Sequence, residues 1–194
     1  MKEKVICFLT LALISSSTLM FGQDKILDYW DKEEAFPDSL ISVIYSTRVS
    51  PIPESVVLDY LCNTRNDCFI NPDNGYKFRY FPVCKVDTES HWLLMYYITD
   101  GYFIDCYIAS YIEPEDKIAY KLHVYSSIGG DTPTIFYKLR GDRVEIFRKI
   151  KRNLEDDTIE DTIHETYGLD SSLSLISSNI PEAFLPKIII DKLN

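Results

Sequence analysis

Histidine is nearly missing from this chain: there are three in 194 residues, His91, His123 and His164. They lie far apart, and none stands in an H-x-H or H-E-x-x-H spacing, so the local signature of a zinc hydrolase is absent. There is no G-x-S-x-G, no P-loop and no G-x-G-x-x-G, which removes the nucleophile elbow, the triphosphate cradle and the dinucleotide fingerprint. Glycine itself is sparse, with 7 residues, and Gly129-Gly130-Asp131 reads as a turn needing positive φ rather than as a phosphate loop. Basic side chains are also few, 20 against 30 acidic, for a formal net charge of −10. A surface this acidic repels phosphate backbones and anionic headgroups, so nucleic acid is not an expected partner. No C-x-x-C chelate occurs, and no metal site or cofactor is expected.

Long hydrophobic runs are missing after residue 22, where the longest cluster, Trp92 to Ile98, is strand-sized. Before that point the sequence MKEKVICFLTLALISSSTLMFG reads as a signal peptide. Lys2 and Lys4 form its positive start. An apolar run of about ten residues follows, too short for the roughly twenty of a spanning helix. Small residues then lead to Gly22 and a cleavage position before Gln23. Cys7 sits inside the apolar run rather than after it, which argues against a lipid anchor. The expected location is therefore exported, periplasmic or extracellular, with no integral membrane segment after cleavage. Loss of Lys2, Glu3 and Lys4 leaves 18 basic and 29 acidic residues, a formal charge near −11.

Four cysteines then remain: Cys62, Cys68, Cys84 and Cys106. An even count in an oxidising compartment predicts disulfides, with three possible pairings. Cys62 and Cys68 are close enough to clip one loop. Cys84 and Cys106 lie on separate strand-like runs and are expected to meet across a sheet. The favoured pairings are 62–68 and 84–106, with no free thiol.

The remaining chain divides into a mixed, proline-punctuated region 23–75 and a β-meander domain 76–194, which together suit one globular unit. Lys25 to Glu34 is compatible with one or two helical turns. Ser39 to Tyr45 suits strand or helix equally. Pro53 and Glu54 open a helix whose buried face takes Val57, Leu58 and Leu61. From Tyr76 onward strand candidates recur: Lys77 to Asp87, Trp92 to Ile98, Phe103 to Ile112, Ile118 to Tyr125, Thr134 to Leu139, Val144 to Ile150, Thr158 to Tyr167 and Ser172 to Ile176. Short links such as Asp100-Gly101 and Gly141-Asp142 require antiparallel neighbours. The expected fold is mainly β, an antiparallel β-meander (open sheet, barrel or sandwich) with a short helical N-terminal region packed on it.

Alternation assigns faces. Ile118, Tyr120, Leu122 and Val124 are expected on the core, with Lys121 and His123 opposite. Ile159, Ile163, Tyr167 and Leu169 oppose Thr158, Glu160, Thr162, His164 and Thr166. His123 and His164 thus fall on the polar parity and read as solvated, structural residues, as does His91 at a strand start. Trp92 to Ile98 is apolar on both parities and predicts a central strand covered on both faces. The acidic stretch around Glu155 to Asp161 lacks the D-x-D-x-D-G pattern of a calcium loop and reads as a solvated turn.

The run from YFPVCKVDTESHWLLMYY to KLHVYSSIGGDTPTIFYKLRGDRVEIF resembles a loose group of uncharacterised exported bacterial β-meander proteins. In these an apolar-Tyr-Ser strand end precedes a Gly-Gly-Asp turn, as Val124 to Asp131 does here. The resemblance spans roughly Tyr76 to Leu175 and implies a fold and an exported location, without a reaction.

Tyrosine is abundant, 14 residues, and clusters on neighbouring strand candidates. Each tyrosine offers an apolar body and a polar tip, which suits a recognition surface. Tyr97, Tyr107, Tyr111 and Tyr125 are the candidate binding face. With no catalytic set, the expected function is that of an exported non-enzymatic protein binding a protein or another component of the cell envelope. The alternatives are a structural envelope component, or a hydrolase with a carboxylate site that linear sequence does not reveal.

Overall fold

A computed structural model describes residues 25–33, 35–40, 43–44, 49–62, 68–70, 75–129, 133–153 and 158–179, with backbone alone for 150–153 and 158–160. The expected signal segment 1–22, the bend at 71–74, residues 130–131 of the Gly-Gly-Asp turn and the acidic residues 155–157 lie outside the described residues.

Strand β1 (Lys32–Glu33) pairs parallel with β2 (Arg79–Asp87), a contact between segments far apart in sequence. The chain then runs through β3 (Trp92–Thr99), β4 (Phe103–Ile112), β5 (Lys117–Ile128), β6 (Ile135–Arg140), β7 (Arg143–Asn153), β8 (Thr158–Gly168) and β9 (Leu175–Asn179). All nine form one sheet in sequence order, and every pair after the first is antiparallel. The sheet is open, with β1 and β9 at its edges; of the three forms the strand spacing allows, this is the one found. The turns reflect the sequence chemistry. Asp100 Oδ1 accepts the backbone N–H groups of Tyr102 and Phe103 at 2.9 and 2.8 Å, and Gly101 takes φ +98°, a conformation that costs glycine little. Strand β9 starts later than the alternation predicts because Asp170 accepts from the backbone of Ser172 and Ser174 and holds that segment as a turn.

The N-terminal region is less helical than its pattern predicts. Residues Ile26–Tyr29 make one 3₁₀ turn, and the chain then extends into β1. Helix α1 (Glu54–Val56) comes directly after Pro53 and widens into a π-helical turn over Val57–Leu61. Val56, Val57 and Leu61 are buried there, and Leu58 is partly buried.

The sheet carries a core on each face, and β3 serves both. Leu93, Met95 and Tyr97 enter the first core, while Leu94 and Tyr96 enter the second, as the double apolar parity predicts. The first core joins side chains of β2–β5 to Tyr137, Val144 and Ile146 of β6 and β7, so the sheet curls over itself. The second lies beneath the N-terminal segments, with Ile26, Trp30, Val57 and Leu61 packed on Leu94, Tyr96 and Tyr111. Full burial of each such aliphatic side chain contributes roughly 1.5–3 kcal/mol.

Two expectations are corrected. Tyr120 is 53% exposed, not buried, and Ile118 joins the second core rather than the first. Register shifts at Ser110/Tyr111 and at Cys106/Tyr107 interrupt the β4–β5 ladder; the first turns Ile118 to the face opposite Leu122, whereas Tyr120, paired with Ser110, keeps the face of Leu122 and is exposed there. Cys84 and Cys106 do not pair; both are free and buried. They lie on β2 and β4, and β3 runs between them. Next-but-one strands stand about 9.5 Å apart, beyond the roughly 7 Å a disulfide tolerates between Cα atoms. Cys62 and Cys68 do form a disulfide, with Cα atoms 6.1 Å apart.

Candidate functional site

The four tyrosines expected to share an exposed face do not. Tyr97 and Tyr125 enter the first core, whereas Tyr111 and Tyr107 lie on the opposite face with the second core. Tyr97, Tyr111 and Tyr125 are buried, at 9, 2 and 7% exposure, and only Tyr107 keeps substantial accessible surface. Tyr97 and Tyr125 both lie opposite Cys106 and share its face, whereas Tyr107 and Tyr111 have the other parity on β4. The expected tyrosine surface is thereby withdrawn.

What the register builds instead is a row of rings across four strands. Tyr96 of β3 lies opposite Tyr107 of β4, and Tyr107 opposite His123 of β5. Their rings stack, with centroids 5.5 and 4.7 Å apart, and Tyr80 of β2 stacks on Tyr96 at 6.3 Å. Directly opposed aromatic pairs of this kind are favourable cross-strand contacts. Phe69 meets Tyr80 edge-on, so the row ends against the segment carrying Cys68.

Tyr80, Tyr96 and Tyr107 of this row line one side of a cavity of about 270 Å³, and Leu61 and the Cys62–Cys68 disulfide line another. Asp105 and Lys121 also line it. His123 Nε2 stands 2.9 Å from both Asp105 Oδ1 and the Tyr125 carbonyl oxygen. Two acceptors at one nitrogen assign the proton to Nε2, which donates to both. Behind His123, β5 and β6 share a single register pair, and Arg148 of β7 reaches across to donate to the His123 carbonyl at 3.1 Å while pairing with Glu165 at 2.7 Å. Lys121 stands at the rim and donates to the Leu61 carbonyl at 2.8 Å; partial desolvation there pulls its pKa below the usual lysine value.

Burial raises the phenols of Tyr96 and Tyr107, and that of Tyr80 to about 12, so all three remain protonated at neutral pH. Tyr80 donates to the Cys68 carbonyl at 2.9 Å. Among the described residues the hydroxyls of Tyr96 and Tyr107 and the second oxygen of Asp105 have no hydrogen-bonding partner. The cavity therefore presents one carboxylate oxygen as acceptor, two phenols able to donate and accept, and the remaining protons of an ammonium group.

The His123–Asp105 pair has the form of an oriented base, yet no hydroxyl or thiol of the described residues meets His123 Nδ1, and both nearby sulfurs are locked in the disulfide. His164 stacks on Phe147 with centroids 4.6 Å apart, and His91 is buried in the turn between β2 and β3; neither reaches this cavity. Among the described residues no group of His, Cys, Asp and Glu side chains could hold a metal ion, and no helix is long and apolar enough to cross a membrane. A larger depression, about 840 Å³ beside Lys32, Glu33, Asp87 and Glu89, is bounded by exposed charged side chains. Of its groups Lys32 and Asp87 already pair at 3.0 Å.

Lys121 and His123 were legible only as a parity, and Asp105 gave no separate sign. The first two share the polar side of their strand, a signal that reads equally well as a solvated face. Tyr96 and Tyr80 gave no separate sign, because sheet propensity alone explains a tyrosine in a strand.

No family model, no curated protein and no solved structure matches the chain.

Proposed function

We propose that this chain is an exported binding protein of the cell envelope that takes a small polar ligand in the cavity between the aromatic row and the Cys62–Cys68 disulfide. One observation carries the reading: Tyr96, Tyr107 and Asp105 line one cavity, and their two phenol hydroxyls and the second Asp105 oxygen have no protein partner among the described residues. Partly buried polar groups of this kind cost free energy until something hydrogen-bonds to them, and a convergent set on a concave wall is the usual form of a small-ligand site. The basic, apolar and small-residue order of residues 1–22 supports export, and the disulfide is compatible with it. The absence of a nucleophile beside His123 among the described residues favours binding over hydrolysis.

A thermal-shift screen of the mature, oxidised chain against small polar metabolites tests the reading. At least one compound is expected to raise the melting temperature of the parent and to raise that of Tyr107→Phe less. A library that stabilises neither protein would remove the proposal.

A second reading, a structural component assembled through sheet edges, rests on β9. Its five residues are all exposed, and Leu175 and Ile176 carry no charge to discourage pairing. Concentration-dependent assemblies by size-exclusion chromatography would favour it, and a monomer at all concentrations would exclude it.

A further inference from the structure

We infer that the ligand is a neutral polyhydroxylated molecule of the size of one sugar ring. This rests on the binding reading above and adds the chemical class.

Size sets the first limit. A volume of about 270 Å³ corresponds to roughly nine waters at liquid density. That accommodates one pyranose ring with its hydroxyls, and it lies at the small end of ligand pockets.

Charge narrows the class. Asp105 and Lys121 are opposite charges lining the same space, so the pair contributes no net charge. Each already has a protein partner, His123 for the carboxylate and the Leu61 carbonyl for the ammonium. An anion would gain at Lys121 and lose at Asp105, and a cation would do the reverse. A zwitterion would have to pair with both at once, in competition with the protein partner each already has.

What remains unsatisfied is a set of single hydrogen-bonding positions: an acceptor oxygen on Asp105, the donor-acceptor hydroxyls of Tyr96 and Tyr107, and spare protons on Lys121. Hydroxyl groups, which donate and accept at once, match all of them without adding charge. Leu61, Ile98 and the disulfide supply apolar wall for the ligand's C–H groups.

The test is isothermal titration of the mature, oxidised protein with glucose, galactose, mannose and N-acetylglucosamine. Glycine, glutamate and inorganic phosphate form the charged arm. At least one sugar is expected to bind saturably at one site per chain. Tyr107→Phe, which keeps the stacked ring and removes only the hydroxyl, should weaken it about tenfold, and Asp105→Asn by tenfold or more. Saturable binding of a charged probe without any sugar, weakened in Tyr107→Phe, would overturn the polyol assignment and leave the site standing. Sugar binding unchanged in both variants would overturn the placement in this cavity. Silence in both arms would overturn the inference together with the binding reading on which it rests.

Discussion

The indole nitrogen of Trp30 donates to the backbone carbonyl of Met95 at 2.7 Å, tying the N-terminal segment to the middle of a central strand. A strand carbonyl is free for this because the β2–β3 ladder shifts register between Pro82 and Cys84, directly beside Met95. Proline has no N–H to offer a ladder and is tolerated where β2 lacks a partner on its other side, since β1 reaches only Lys85 and Val86. The bulge and the tryptophan are thus two halves of one joint.

Trp30→Phe should keep most of the ring packing and lose the hydrogen bond, leaving the buried Met95 carbonyl unsatisfied. The expected loss is about 1–3 kcal/mol, read as a lower urea midpoint with an unchanged slope. Trp30→Ala should cost more, about 3–5 kcal/mol, because it also empties a buried site.

Asp116 fastens the turned segment after α1 to the β4–β5 connection. Its carboxylate accepts the hydroxyls of Tyr111 at 2.7 Å and Tyr60 at 3.0 Å, and the residue itself sits at φ +47°. Asp116→Ala should lower stability by about 2–3 kcal/mol in chemical denaturation, since two phenols lose a charged acceptor and the left-handed backbone loses a tolerant residue. Asp116→Asn retains an acceptor and the backbone preference, and should cost less than half as much.

The thiol count separates the pairing found from the pairing expected. For the chain from Gln23, iodoacetamide in denaturant without reductant should label two cysteines, Cys84 and Cys106, and four after reduction. Under native conditions both should resist, because burial excludes the reagent and pushes the Cys84 thiol up to about 12. Four blocked sulfurs before reduction would contradict the arrangement. Reduction of Cys62–Cys68, a short loop, should cost about 2 kcal/mol and weaken the cavity wall it forms.

His91 gives the protein an acid-sensitive point. Its Nδ1 lies 2.8 Å from Thr88 Oγ1 and 2.9 Å from Ser90 Oγ, while Nε2 is buried without a partner among the described residues. Burial lowers its pKa below the ordinary 6.5, against a smaller opposing effect from Asp170. The unfolded chain therefore binds this proton more readily than the folded one. Stability present above about pH 6.5 is expected to decline as pH falls below that value. Melting temperatures from pH 7.5 to 5 should show this decline, and His91→Gln should flatten it.

Much of the architecture is dictated by the sequence by itself. Strand number and antiparallel order from Arg79 onward were readable because β periodicity and turn chemistry are local properties of the chain. The double burial of Trp92 to Ile98 was readable for the same reason, as was the Cys62–Cys68 bridge, whose partners are near neighbours. The tertiary structure decided whatever depends on register. A single inserted residue reverses every side chain beyond it, so the shift at Ser110/Tyr111 turned Ile118 to the second core, while the lateral register of β3, β4 and β5 put Tyr97 and Tyr125 on one face and Tyr107 and Tyr111 on the other. It also decided that β3 separates Cys84 from Cys106, and that β1 joins the sheet from a segment far earlier in the chain than its partner. The cavity belongs to this second class. Tyr80, Tyr96, Tyr107, Asp105 and Lys121 come from four strands, and only the lateral order and offset of those strands place them around one space.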